Sequence, residues 1–311
     1  MFFPSVTIIM PTFNCGPDIE DSLKSIINQD YQGQIKIIII DGGSTDETLK
    51  IAQKYNVEIY INKGQYSGGK NGARRFGETL SKSDLLWYVD SDNIILNQDA
   101  LSNLVEPFLK NPSINISIPK TEIDPNSNFL NRWMSLKEIY NLNKVIKVSK
   151  KEWNYYIIDD LFYGITNCSL IKREVVELAM GWDSDIRLLF RIRKLGLAKA
   201  AIVETSFFYH NQINGLSGFL KKWTKRANYF AKMTPKEYEE YFVQYPIPGD
   251  LDYNLKQSTM NDIIGVSIIS IQNFLKFRNF QWLFGLLYSS IIIISIISHP
   301  IISYKLWKKF L

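Results

Sequence analysis

Short apolar runs alternate with longer amphipathic stretches between residues 6 and 118 of the chain. The short runs have the length of buried strands, and the stretches between them repeat apolar residues at helical spacing. The pattern predicts strands at 6–10, 35–40, 57–61, 85–89 and 114–118, and helices at 19–28, 46–55, 70–80 and 100–109. This alternation is typical of an α/β fold, so we expect a mostly parallel sheet with helices on both faces.

Two of the predicted strands end in acidic residues. Asp41 follows the second strand, and Asp90 and Asp92 follow the fourth. Ligands of open α/β sheets collect at this edge, where helix amino termini offer free N–H groups to anions. We expect Asp41 to accept a hydrogen bond from a base or ribose, and Ser44 or Thr45 to cap the next helix. Two carboxylates at i, i+2 suit a divalent cation that holds a diphosphate.

Each motif has a plainer explanation when it is taken alone. An acid-Gly-Gly sequence is common in strand-to-helix turns, and an Asp-x-Asp pair in a loop is commonly solvated. Their order along the chain, each after an apolar strand, favours a shared site for a nucleoside diphosphate.

Three segments together carry a resemblance to a known family: residues 6–14, 41–48 and 90–92. They resemble the family 2 glycosyltransferases of the GT-A fold, and the similarity extends to residue 210. The resemblance implies that the base and ribose of a nucleotide-diphospho-sugar are held by four residues, Pro11, Thr12, Phe13 and Asp41.

The same resemblance implies how the diphosphate is held. Asp90 and Ser91 would contact the donor, and Asp90 and Asp92 would bind Mg²⁺ or Mn²⁺. His210 resembles a family histidine that contacts the metal or the diphosphate, although a lone histidine after an aromatic strand also has structural roles.

Residues 68–75 place glycines before a helix that carries cations, which is a suitable site for phosphate oxygens. The segment resembles the Ala-Arg-Asn segment of the family, with Arg75 at the position where Asn is usual. Lys70 and Arg74 are therefore expected to bind the donor. A flexible turn with surface cations is the alternative.

Residues 181–196 resemble the family's Glu-Asp pair followed by an Arg-rich helix and a Gly. The match places Asp185 at the catalytic aspartate, with Ser184 replacing the usual Glu. Asp185 would accept the proton of an acceptor hydroxyl. It also begins an apolar-periodic helix, so a helix cap is the structural alternative, and both roles are compatible.

Composition supports a large intracellular domain with an appendage. The chain has 311 residues, 46% of them hydrophobic, and only two cysteines, Cys15 and Cys168. These cysteines lack a metal-ligand spacing, which argues against a disulfide framework and a zinc site and favours a reducing compartment. The first predicted strand begins too close to the amino terminus to leave room for a signal peptide.

The net charge of +5 is concentrated at the carboxyl terminus. No acid follows Asp262, and this last part holds five cations: Lys276, Arg278, Lys305, Lys308 and Lys309. Nucleic-acid-binding proteins spread basic residues over a folded domain, so the distribution argues against nucleic acid and favours a membrane surface as partner.

Residues 282–302 contain no Asp, Glu, Lys or Arg and are long enough to cross the ~30 Å hydrocarbon layer of a bilayer. A buried core helix is the alternative, and the lysines that follow leave a spanning and a re-entrant or in-plane arrangement both open. Residues 218–232 predict a basic helix with aromatic residues along one side, which suits lipid headgroups or an ordinary solvated surface.

These patterns predict three regions: a GT-A catalytic domain at 1–215, interfacial helices and a linker at 216–260, and a hydrophobic helical membrane segment at 261–311. The expected location is the cell membrane, with the catalytic domain in the cytoplasm.

The expected activity is that of an inverting glycosyltransferase that moves a sugar from a nucleotide-diphospho-sugar to a hydroxyl of a lipid-linked saccharide. A polyprenyl-phosphate or dolichyl-phosphate glycosyl synthase is the enzymatic alternative, since a phosphate acceptor needs little help from a base. A non-catalytic membrane scaffold that binds nucleotide sugars would explain the departures at Ser184 and Arg75. A sugar nucleotidyltransferase is disfavoured, because its glycine-rich basic loop is absent beside the first strand.

Overall fold

The computed structural model describes residues 3–211, except 65, 67–68, 148, 162–167 and 184, together with residue 218. The basic helix and the membrane segment predicted from the sequence lie outside the described residues, apart from residue 218. The chain divides into two compact units, Met1–Pro125 with Glu138–Gln212, and Asn126–Lys137 with Ile213–Leu311. Within the described part of the chain, no helix combines the length and the apolar character needed to cross a bilayer.

The described residues form ten strands and seven helices. In chain order these are β1 (Val6–Thr12), α1 (Gly16–Ile27), β2 (Ile35–Asp41), α2 (Thr48–Ala52), β3 (Glu58–Ile61), α3 (Lys70–Leu80), β4 (Leu85–Tyr88), β5 (Asn93–Ile95), α4 (Ala100–Lys110), β6 (Ile116–Glu122), α5 (Phe129–Lys147), β7 (Lys150–Glu152), β8 (Tyr155–Ile158), β9 (Leu170–Lys172), α6 (Arg173–Leu178), α7 (Asp185–Lys194) and β10 (Ala200–His210). All five strands predicted from the sequence are present.

The strands form one sheet in the order β3-β2-β1-β4-β9-β6-β10-β8-β7, and β5 pairs with β10. The first four strands of this order are parallel, as predicted. The other half of the sheet is mixed and only partly fits the prediction: β6 and β10 are parallel to each other, but β9 runs antiparallel between β4 and β6, and β10 is antiparallel to β8 and β5.

Helices cover both faces of the sheet, as the sequence predicts. Ile8 of β1 and Trp87 of β4 belong to an apolar cluster that includes buried residues of α1 and α4. Ile9 and Leu86, their neighbours in sequence, belong to a second cluster that includes residues of α6 and α7. This alternation follows from the two-residue period of side chains along a strand.

The helix predicted after Asp41 is shorter than expected, and its predicted cap is wrong. Neither Ser44 nor Thr45 caps α2. The Ser44 hydroxyl donates instead to Asp41 Oδ2 at 2.6 Å. The N-cap position is Glu47, and the N–H of Thr48, the first residue of α2, donates to Asp46 Oδ1 at 3.0 Å.

We expect Gly77→Ala to destabilise the protein, because α3 lies against β1 at this position. A Cβ at Gly77 would come within 2.5 Å of Ile9 Cγ2, which is fully buried. An overpacking cost of about 1–3 kcal/mol exceeds the gain of about 1 kcal/mol in helix propensity. The midpoint of urea unfolding should therefore fall, whereas Thr79→Ala on the exposed side of α3 should not lower it. An unchanged midpoint for Gly77→Ala would contradict this packing.

Candidate active site

The carboxyl ends of β1 and β2 lie side by side, with Thr12 opposite Asp41 in the parallel register. Hydrogen bonds join the loops that follow. The Asn14 N–H donates to Ser44 Oγ at 2.8 Å, and the Thr45 N–H donates to Asn14 Oδ1 at 2.8 Å. The first two motifs found in the sequence therefore form one edge of the site.

Asp41 is fully buried, and both of its carboxylate oxygens have partners. Oδ1 accepts the N–H groups of Gly43 and Ser44 at 2.8 and 2.7 Å. Oδ2 accepts the hydroxyls of Thr12 and Ser44 at 2.8 and 2.6 Å. Asp41 thus fixes the turn in which Gly43 has a φ of 92°, a conformation that favours glycine. Its contact with a base or ribose stays a prediction.

Phe13 presents an aromatic ring at this edge of the sheet. Its side chain is 64% exposed, whereas Pro11 and Thr12 are buried in β1. A Cβ at Gly42 would lie 3.3 Å from the Phe13 ring, so the ring borders the Asp41 turn. An exposed aromatic face of this kind suits stacking by a nucleotide base.

Asp90 follows β4 and is held between two cations. Its Oδ1 lies 2.6 Å from the Arg74 guanidinium, and its Oδ2 lies 2.9 Å from Lys70 Nζ. Its main-chain N–H donates to Asn93 Oδ1 at 2.9 Å, which fixes the turn into β5. Burial alone raises the pKa of Asp90, but Arg74 and Lys70 outweigh it and lower that pKa far below the usual value. The two cations therefore favour the ionised form of Asp90.

Arg74 connects this acid to the start of α7. Its side chain has no solvent exposure, and its second terminal nitrogen lies 3.1 Å from Asp185 Oδ1. Asp185 is the first residue of α7, and its side chain is 37% exposed. The structure thus brings Lys70, Arg74, Asp90 and Asp185 together, as the sequence predicts. Asp185 keeps a face open to solvent, where an acceptor could approach.

Asp92 and His210 form the third part of the site. Asp92 Oδ1 is buried without a hydrogen-bond partner among the described residues, and it lies 3.7 Å from His210 Nε2. A carboxylate oxygen beside an imidazole nitrogen suits Mn²⁺, and also Mg²⁺ with donor oxygens and water completing the shell. The donor set therefore fits a divalent cation, although no group of three acidic, His or Cys ligands occurs in the described chain.

Glu138 of α5 orients His210 and was not predicted. Its Oε1 lies 2.9 Å from His210 Nδ1, which directs Nε2 towards Asp92. A carboxylate behind the histidine is a common support of metal-binding imidazoles. Burial lowers the pKa of His210, but Glu138 and Asp92 outweigh it and raise the pKa. No local pattern in the sequence marks Glu138, because it lies in a different element from His210.

Ser91 lies between the two acids and is half-buried. It contacts Cys15, and burial raises the pKa of the Cys15 thiol despite opposing hydrogen bonds to Ser91 and Thr48. Cys15 and Cys168 are both buried free thiols. The predicted contact of Ser91 with the donor stays a prediction.

Behind Arg74 lies a buried network that sequence reasoning also missed. Glu78 Oε1 accepts the Tyr88 hydroxyl at 2.9 Å and the Trp182 N–H at 3.1 Å. Burial raises the pKa of Glu78. The only signal in the sequence is that Asn71, Arg74 and Glu78 share one face of a predicted helix at i, i+3 and i+7.

Comparison with known families gives a direct assignment of the domain. The model of Glycosyl transferase family 2 matches residues 7–179, more than half of the chain. Poly(ribitol-phosphate) beta-N-acetylglucosaminyltransferase TarP of Staphylococcus aureus is 28% identical over 177 residues, which cover 55% of this chain and 50% of that protein. GalNAc(5)-diNAcBac-PP-undecaprenol beta-1,3-glucosyltransferase of Campylobacter jejuni is 31% identical over 108 residues, 33% of this chain and 34% of that protein. The aligned region thus spans half or less of these curated relatives.

Solved structures support the same fold. The mannosyltransferase PcManGT from Pyrobaculum calidifontis, in complex with GDP-Man and Mn²⁺, has a TM-score of 0.57 at 16% identity, covering 96% of this chain and 87% of that chain. Glucosyl-3-phosphoglycerate synthase from Mycobacterium tuberculosis, in complex with Mn²⁺, UDP and phosphoglyceric acid, has a TM-score of 0.52 at 19% identity, with coverages of 79% and 81%. The α/β nucleotide-sugar transferase fold is confirmed, and the chain belongs to glycosyl transferase family 2.

Proposed function

We propose that this protein is an inverting glycosyltransferase that moves a sugar from a nucleotide-diphospho-sugar to a hydroxyl of a lipid-linked saccharide. The observation that carries the proposal is the buried guanidinium of Arg74, which reaches Asp90 on one side and Asp185 on the other. One cation thus connects the acid expected beside the donor to the acid expected beside the acceptor.

The donor would lie along the edge formed by the ends of β1, β2 and β4. Phe13 offers its ring to the base, and Lys70, with 58% of its side chain exposed, can move to the diphosphate. A divalent cation held by Asp92 and His210, with Asp90 beside them, would supply charge neutralisation for the leaving diphosphate.

The acceptor would approach Asp185 from solvent. Asp185 takes the proton of the acceptor hydroxyl while that oxygen bonds to the anomeric carbon and the bond to the diphosphate breaks. Arg74 and Lys70 stabilise the negative charge that develops on the departing nucleoside diphosphate. A single displacement of this kind inverts the anomeric configuration.

The lipid-linked acceptor and the membrane location rest on the sequence and on one relative. Residues 282–302 have the length and composition of a membrane-inserted segment, and lysines follow them. The Campylobacter jejuni relative is named for an undecaprenol-linked saccharide. We therefore propose that the enzyme acts at the cytoplasmic face of the cell membrane.

A panel of nucleotide-diphospho-sugars, with Mn²⁺ or Mg²⁺ and with or without membrane lipid extract, tests the activity. Release of nucleoside diphosphate should require the metal and rise with lipid. Asp92→Ala should abolish it, because the substitution removes the buried oxygen that fits the cation. Asp159→Ala removes an exposed acid that pairs with Lys199, far along the chain from the motifs of the site; it is the matched control and should retain activity. Tight nucleotide binding without release under any condition would favour the non-catalytic scaffold.

Asp185→Asn tests the acceptor class. With a hydroxyl acceptor, loss of the base should lower kcat by about 100- to 10,000-fold, while donor binding is retained. Asp183→Asn, two residues earlier and paired with Arg191, is the control for local disturbance. A near-normal rate for Asp185→Asn would indicate a phosphate acceptor, and thus the polyprenyl-phosphate glycosyl synthase.

Extraction of cell membranes tests the location. The full-length protein should sediment with membranes and resist washing at high salt, because apolar burial is not screened by ions. Resistance to alkaline carbonate as well indicates insertion of residues 282–302. Complete release by salt alone would show that only charge holds the protein at the surface, and recovery in the soluble fraction would rule out the membrane proposal.

A further inference from the structure

We propose that Trp182 is a positioning residue of this site, and that its indole face fixes the plane in which the Arg74 guanidinium bridges Asp90 and Asp185. The inference rests on the proposed function, in which Arg74 stabilises the leaving group. Neither the motifs in the sequence nor the family resemblance assigns this residue a role.

One face of α3 holds Trp182 at three points. The Trp182 N–H donates to both oxygens of Glu78 at 3.1 Å, and its indole Nε1 donates to Asn71 Oδ1 at 3.2 Å. Between these two contacts, the guanidinium carbon of Arg74 lies 4.6 Å from the centre of the indole ring. The position and tilt of the ring are therefore set by the helix that also carries the cation.

The stack formed by the Arg74 guanidinium and the Trp182 indole is excluded from solvent. Trp182 is 1% exposed, and Arg74 and Tyr88 are fully buried. The Tyr88 ring packs against Trp182 with 4.2 Å between the ring centres, which limits movement of the indole. A cation over an aromatic face gains most when both are desolvated, so this contact holds the guanidinium more firmly than an exposed one would.

The stack matters because Arg74 has two unequal carboxylate partners. The side chain of Asp90 is 8% exposed and that of Asp185 is 37% exposed. A guanidinium free to rotate can pair with one carboxylate through two parallel hydrogen bonds, and the less hydrated Asp90 would be the stronger competitor. With its plane fixed against the indole, Arg74 gives one terminal nitrogen to each acid.

Trp182 also ties the stack to the start of α7. Asp185 follows it by three residues, and Gly181 precedes it with a φ of 73°. A Cβ at Gly181 would lie 1.1 Å from an Arg75 nitrogen, so the turn sits directly against α3. Gly181 and Trp182, which precede Asp185 by four and three residues, are therefore both in contact with α3, the helix that carries Arg74.

Three substitutions separate the aromatic face from simple filling of space. Trp182→Phe keeps a ring under Arg74, and kcat should fall by less than about fivefold. Trp182→Leu and Trp182→Met fill the cavity without a π face, and kcat should fall by about 10- to 100-fold with little change in the donor KM. If either Trp182→Leu or Trp182→Met fails to fold, the other still provides the test. Trp153→Leu, which removes an exposed indole stacked on Lys110, is the matched control and should keep full activity.

A double-mutant cycle with Arg74→Lys tests whether Trp182 acts through Arg74. In the Arg74→Lys background, Trp182→Leu should cost less than about threefold in kcat, because the group it orients is already gone. If Trp182→Leu lowers kcat by the same factor in the Arg74→Lys background as in the unchanged protein, the role of Trp182 is purely structural and the proposal is overturned. A loss of kcat in Trp182→Phe as large as in Trp182→Leu would overturn it too. Unchanged kcat in both Arg74→Lys and Asp185→Asn would instead overturn the proposed function itself.

Discussion

A guanidinium without solvent exposure is the constraint on which this site depends. Removing the Arg74 charge from water costs several kcal/mol, and this cost is offset only where carboxylates and polarisable surfaces surround the group. Asp90 comes from the loop after β4, Asp185 from the start of α7, and the indole of Trp182 from the turn before it. The charge of Arg74 therefore draws together two segments that are distant in sequence, the loop after β4 and the turn that leads into α7. Breaking the buried pair with Asp90 would cost about 3–5 kcal/mol.

The three aspartates Asp41, Asp90 and Asp92 have different hydrogen-bond and ion-pair partners, and these partners indicate a different role for each. Asp41 accepts three hydrogen bonds from its own turn and a fourth from Thr12 of β1, and Asp90 is neutralised by two cations. Asp92 alone keeps a buried oxygen without a hydrogen bond among the described residues, opposite an imidazole that Glu138 orients. Asp41 thus stabilises the turn after β2, Asp90 holds Lys70 and Arg74 in place, and Asp92 keeps one oxygen available for a ligand. These roles follow from the burial and the partners of each carboxylate, because the Asp-x-Asp motif alone does not distinguish Asp90 from Asp92.

The local patterns of the chain were sufficient for the first half of the sheet and for the position of its acids. Each predicted strand is present, and Asp41 and Asp90 lie at the carboxyl ends of parallel strands because apolar runs followed by acids have few other arrangements in an α/β fold. The insertion of β9 between β4 and β6 depends on pairing between distant segments, which the local spacing of hydrophobic residues does not indicate. The contacts of Glu138 and Glu78 were missed for the same reason, since each joins elements that are remote in sequence.

The departure at Arg75 is accommodated away from the chemistry, which bears on whether the site is intact. Arg75 Nη1 pairs with Glu78 Oε2 at 3.1 Å, and its guanidinium occupies the space that a side chain at position 181 would need. The absence of a side chain at Gly181 therefore leaves room for Arg75, while Arg74, the preceding residue, pairs with Asp90 and Asp185. A decayed site would be expected to lose carboxylates or leave its cations unpaired. Here Arg75 has a partner of its own, and Arg74 keeps its ion pairs with Asp90 and Asp185, so the presence of Arg75 does not disturb this part of the site and gives no sign of decay.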